Sequence, residues 1–196
     1  MGSRAGGVFD FFGAGDSTYK GKIKNVESLV HIKDRMVYKD VKEAISRFYS
    51  AMGVPERNVK IADLSSSVVG IGSKGGVYFN KKYYNMSHKD FVAFHKKQEA
   101  IGHLTPTNKP AAHTTTHELA HALWSTSDTS PKAKAAGKEI KSVYNKWKNS
   151  RTKTKYGHYA GSNVDEWWAE TVTKAVHGKA DSYTKTVKAI AKKYKL

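Results

Sequence analysis

Cysteine is absent from the 196 residues, proline occurs 4 times, and 17 Asp and Glu face 34 Lys and Arg. Each shortage excludes something. Without thiols there is no disulfide framework and no thiolate nucleophile, so any metal must be held by His and carboxylates. No apolar run approaches the roughly 18 residues of a membrane span, and none has the form of a signal-peptide core. The acid deficit leaves a net charge of +17. Such a charge says what approaches the surface, not how the chain folds. A solvated, lysine-rich surface is the favoured reading, because no nucleic-acid motif accompanies it. An acidic partner met through the basic surface, nucleic acid included, stays open.

What remains suffices for a single core. At 39% apolar, a chain of this length buries roughly 70% of its unfolded surface. Residues 1–38 read as a flexible or irregular leader, with Gly-rich Met1–Gly7 and then Phe9, Phe11 and Phe12. Residues 39–196 read as the catalytic domain. Val41, Ile45, Phe48 and Met52 share a helical face from about Asp40, which can cap, to Gly53 and Pro55. Val59–Ala62, Val68–Ile71 and Val77–Phe79 read as strands. Gly70-Ile71-Gly72-Ser73-Lys74-Gly75 matches G-x-G-x-x-G, but a dinucleotide site needs a helix opening directly after those glycines. A β-rich run follows instead, so the glycines read as a turn between strands.

Ser87 and Asp90 form a capping box, Met86 can staple to Phe91, and Gly102 stops that helix. Ser130-Pro131 opens a helix carrying Ala136, Ile140, Val143, Tyr144 and Trp147 on one face. Further helices are expected from about Val164 to His177, ended by Gly178, and from about Ser182 onward. The fold class is therefore α+β, a small N-terminal mixed sheet with a mostly helical C-terminal half that carries the active-site helix.

The chemistry is concentrated in Thr114–Trp124, which holds His117-Glu118-Leu119-Ala120-His121. Chance places H-E-x-x-H in a chain of this composition about 2% of the time. Residues four apart share a helical face with Cβ atoms ~5–6 Å apart, so both imidazoles can converge on one Zn2+. Glu118 lies about 100° round the same turn, placed to take a proton from a metal-bound water as general base without ligating. A third ligand is needed. His103, His113, His158, His177, Asp165, Glu166 and Glu170 are candidates. His113 to His121 spans ~12 Å of helix, too far for one ion, which leaves His113 a rim or supporting residue. Glu166 and Glu170, again four apart, could divide two tasks, one ligating and one accepting a proton from a ligand imidazole. Asn163 three residues before Glu166 is also an ordinary capping-box pattern.

With Tyr159, Asn163, Glu166, Ala169 and Glu170 in the order Y-x-x-x-N-x-x-E-x-x-A-E after the H-E-x-x-H, the chain resembles zinc metalloproteases of the anthrax lethal factor and Pro-Pro endopeptidase type, over residues of about 111 to 177. The resemblance implies a zincin-like, gluzincin-class domain. It implies Glu166 as third metal ligand beside His117 and His121, Tyr159 as catalytic stabiliser of the transition state, and Glu170 as the support of a ligand histidine. Trp167-Trp168 stands where the family carries a pair of Phe. Proline specificity does not transfer, because the N-terminal third has no counterpart.

A zinc-dependent endopeptidase acting on a protein or peptide substrate is thus expected, with Val77–Asn80 as the edge strand that pairs with it. His158 is the alternative to Tyr159. A secreted or delivered effector or a phage-associated protein is favoured over a membrane protein. The rivals are a zinc-stabilised basic protein that binds nucleic acid or another polyanion without catalysis, and a zinc amidase on the same ligands.

Overall fold

A computed structural model describes residues 21–66, 68–73, 76–100, 107–126, 128–151, 156 and 158–196. Among them a four-stranded mixed sheet precedes a largely helical remainder, an α+β arrangement. Residues 1–20, His103, Gly102 and the tip of the glycine turn at residues 74–75 lie outside the described residues.

The expected irregular leader is structured in its second half. Strand β1, Lys24–Ser28, pairs antiparallel with β2, Val59–Asp63. Helix α1, Arg35–Met52, begins earlier than Asp40 because Asp34 accepts hydrogen bonds from the N–H of Met36 (2.8 Å) and Val37 (3.1 Å). Asp40 lies inside the helix. Val37, Val41, Ala44 and Phe48 are buried on one face. Gly53 ends the helix at φ 64°, a left-handed conformation that glycine takes without a Cβ clash.

The sheet order is β1-β2-β4-β3, with β3 Gly70–Ser73 and β4 Gly76–Asn80. β4 runs parallel to β2, Ile61 opposite Phe79, and antiparallel to β3, Gly70 opposite Phe79. The G-x-G-x-x-G run therefore lies across a strand pair, not before a helix. The same order corrects the expectation that Val77–Asn80 is an edge. β4 is paired on both sides, and Val77 and Phe79 are fully buried. Two β-branched or aromatic residues facing the core mark an interior strand as readily as an edge one. The free edge on this side belongs to β3.

Helix α2, Lys81–Tyr84, follows β4 directly, and α3 spans His88–Ala100. One half of the Ser87–Asp90 box forms, the Asp90 N–H donating to Ser87 Oγ at 3.1 Å, while the Asp90 carboxylate accepts from Ser87 Oγ at 2.7 Å. α4, Pro110–Leu123, packs against α1, β3 and α6, Val164–His177. α5, Pro131–Lys148, and α7, Ser182–Tyr194, cover α6 from the other side. Adjacent tryptophans on α6 divide the two contacts. Trp168 meets Trp124 edge-on at 5.7 Å, and its Nε1–H donates to Ala120 O of α4 at 2.9 Å. Trp167 turns instead to Tyr144 and Trp147 of α5 and Tyr183 of α7. α6 is thereby held in rotation as well as position.

Asp181 ties α7 to α6. It caps α7 by accepting from Thr184 N (2.8 Å), and it also accepts from Lys174 Nζ (2.8 Å) and Tyr156 Oη (3.2 Å). Against the cost of burial, the Lys174 and Thr184 hydrogen bonds hold its carboxyl below the usual value of 3.8. A lowered carboxylate pKa contributes stability above the unfolded value, and that contribution is lost as pH falls through the folded one. Asp181→Ala is accordingly expected to lower Tm by roughly 2–8 °C at pH 7. The deficit should shrink below pH about 3.8, as followed by thermal denaturation across pH.

Candidate metal centre

α4 is buried on nearly every side, including Thr114, Thr115, Thr116, His117 and Glu118. A helix so rich in polar groups is stable inside a protein only if those groups find partners. α6 supplies them. Asn163 caps α6 by accepting from the Glu166 N–H at 2.9 Å, which is one half of the capping box its spacing allowed. The carboxylate of Glu166, however, turns towards α4.

Three atoms converge there. His117 Nε2 and His121 Nε2 are 3.1 Å apart, and Glu166 Oε2 lies 3.1 Å from the first and 3.2 Å from the second. His117, His121 and Glu166 thus form a buried triangle that could hold a metal ion. One turn on, Glu170 Oε1 lies 2.9 Å from His117 Nδ1. An ionised carboxylate only accepts, so Nδ1 carries a proton, and Nε2 is the nitrogen that faces the triangle. Of the two carboxylates four apart, Glu166 lies in the triangle and Glu170 behind it.

The protein's own charges explain why the arrangement is polarised. Burial opposes a charge on His117, but the hydrogen bonds it donates to Glu166 and Glu170 outweigh burial and raise its pKa to about 10. Burial likewise opposes ionisation of Glu166, yet His121 and His117 draw it down to about 2. Glu118 is different. Burial dominates, against the pull of His117 and His121, and lifts its carboxyl to about 7. Its Oε1 has no hydrogen-bond partner among the described residues. Burial and the two neighbouring imidazoles thus pull the Glu118 carboxyl in opposite directions, and burial wins.

Tyr159 lies in a 3-10 turn over His158–Gly161, immediately before α6, and is buried. Its ring is tilted by 35° over His117 at a centroid distance of 6.1 Å. His158, its alternative as donor and a candidate ligand, is exposed and outside the triangle. Asp165, another candidate on spacing, accepts from Thr126 N and Thr126 Oγ1, both at 2.7 Å, and pins the chain after α4 to the start of α6. His177, at the far end of α6, meets Thr116 Oγ1 at 2.7 Å. No family model, curated protein or solved structure matches the chain.

His113 is not on a rim. It is buried behind the triangle, Nε2 3.8 Å from Glu170 Oε2 and its ring against His95 at 5.5 Å. Burial keeps it neutral, with a pKa lowered to about 4. His95, in turn 3.0 Å from Glu99 through Nδ1, was not among the residues singled out from sequence. Only its spacing within α3 was visible, and nothing local distinguishes a buried histidine from a solvated one.

Glu170 has a role separable from ligation. Glu170→Gln keeps an acceptor for His117 Nδ1 but removes the charge that strengthens it as a ligand. Metal affinity is expected to fall about 10–100-fold with the fold intact. Chelator competition beside circular dichroism measures both.

Proposed function

We propose that this chain is a zinc-dependent metalloendopeptidase with a zincin-like catalytic domain. The observation that carries the reading is the triangle of His117 Nε2, His121 Nε2 and Glu166 Oε2, 3.1–3.2 Å on each edge. A tetrahedral zinc with bonds of ~2.0–2.1 Å sets its ligand atoms ~3.3–3.4 Å apart. The edges lie within a few tenths of an ångström of that, and two imidazoles with one carboxylate are a known catalytic zinc donor set. The residues fit the ion.

Zinc held there would polarise a carbonyl and make water acidic near neutral pH. The protein's own groups do the rest. Glu118, not one of the three converging groups, takes the proton of the attacking water and returns it to the leaving amine. Tyr159 donates to the oxygen on which negative charge develops. Glu170 keeps the Nδ1 proton of His117 in place, so that Nε2 stays available. The unpaired edge of β3, beside α4, takes the substrate-pairing role first assigned to Val77–Asn80.

Measured together, metal content and cleavage-site profiling on an unbiased peptide library test this. One zinc per chain with cleavage lost to a chelator supports it. Stoichiometric zinc without cleavage of any peptide overturns it. A specific observation favours the rival in that event: His117, Glu118, His121 and Glu166 are each at most 3% exposed, as suits an ion that only clamps α4 to α6. The chain would then be a zinc-stabilised basic protein, and its affinity for a polyanion would fall steeply with salt.

A further inference from the structure

Gly70 opens β3, where its residue type is unexplained by backbone conformation. Among the described residues the glycines with positive φ are Gly53 and Gly76, so Gly70 takes a φ open to any L residue. Glycine in a strand interior weakens it and often marks the close approach of another group. The approaching group here is Glu118. A Cβ built on Gly70 would stand 2.8 Å from Glu118 Cγ, 2.8 Å from Oε2 and 3.0 Å from Cδ. Real Cβ atoms essentially never come so close, so the end of the Glu118 side chain, which is 1% exposed, would have to move. Gly70 itself is buried opposite Phe79 of β4, and beside it the Asn80 N–H of β4 donates to Val69 O at 2.9 Å. The strand is therefore fixed on one side and the carboxylate on the other.

We propose that Gly70 is a positioning residue for Glu118: the missing side chain leaves a slot under β3 that seats the carboxylate beside the His117–His121–Glu166 triangle. The functional part of this inference rests on the reading of Glu118 as general base. It also gives the glycines of the G-x-G-x-x-G run a purpose unrelated to phosphate binding, at least at their first position. Any larger residue at position 70 would push the carboxylate from its seat without touching the three converging ligand atoms.

A double-mutant cycle on the full chain tests it. Gly70→Ala is expected to lower Tm of the parent by roughly 2–10 °C, as overpacking of a buried contact does. In a Glu118→Ala background the same substitution should leave Tm unchanged or raise it, because the clash is gone and alanine is better than glycine in a strand. A Gly70→Ala chain that fails to fold while the double variant folds carries the same meaning. An equal loss of Tm in both backgrounds overturns the proposal.

Zinc content of Gly70→Ala should stay at one per chain. On fluorescein-labelled casein its kcat should fall roughly 10-fold or more with KM within about 2-fold, the mark of a displaced catalytic group. Undiminished kcat would equally overturn it. If the parent cleaves no casein or library peptide, the peptidase reading fails, and the Tm cycle still decides whether Gly70 seats Glu118.

Discussion

Glu118→Gln is expected to retain one zinc per chain and to lose peptide hydrolysis by about 10²–10⁴-fold in kcat. The substitution keeps the volume of a side chain that is buried and packed against Gly70. What it removes is the capacity to accept a proton. Glu118 is outside the triangle of converging atoms, so the metal should remain, as atomic absorption of the dialysed variant would show. Burial lifts its carboxyl to about 7 while His117 and His121 pull it down, and a bound cation would add to that pull. A carboxyl held near neutrality is suited to pass protons in both directions at neutral pH. Full activity in the variant would end the mechanism.

Removing the metal, or a group that would hold it, should have the largest effect on stability. An ion bound only by the folded chain stabilises it by about 4 kcal/mol at a thousandfold excess over Kd. For a domain of this size that corresponds to a rise in Tm of roughly 8–16 °C. Glu166→Ala should abolish most of the rise, leaving His117 and His121 as an incomplete pair. The comparison is a zinc titration of parent and variant by differential scanning calorimetry. A variant that binds zinc as tightly as the parent would place the third ligand elsewhere, with His158 the first alternative to examine. The substitution also strips His117 and His121 of a buried counter-charge, so the metal-free variant should itself melt below the metal-free parent.

Several elements could be read directly because their signals are local. Ser130 with Pro131 and Asn163 with Gly178 act within one helical turn of the residues they cap, and α5, α6 and α7 fall where expected. α4 was harder to delimit. Buried nearly all round, it has no polar face to mark its limits, and its start at Pro110 was missed. β1 was missed because its exposed residues pair with β2 more than 30 residues later. The edge assignment failed for a related reason: β4 meets β3 locally, Ser73 opposite Gly76, but its other side is closed by the parallel β2, a pairing that no neighbouring residue signals.

The candidate site divides along the same line. Spacing alone put His117 with His121, and Glu166 with Glu170, on common helix faces, because a four-residue step is a property of the helix itself. Nothing in that spacing could choose Glu166 over Asp165, or bring a carboxylate 49 residues away to 3.1 Å from an imidazole. Packing made that choice: Trp168 on Trp124 and Trp167 among the α5 and α7 aromatics set the rotation of α6. The room for Glu118 beneath Gly70 is of the same kind, a vacancy between a strand and a helix 48 residues apart in the chain. Short-range hydrogen bonds and periodicity are written into neighbouring residues, whereas which faces meet depends on how the whole core closes.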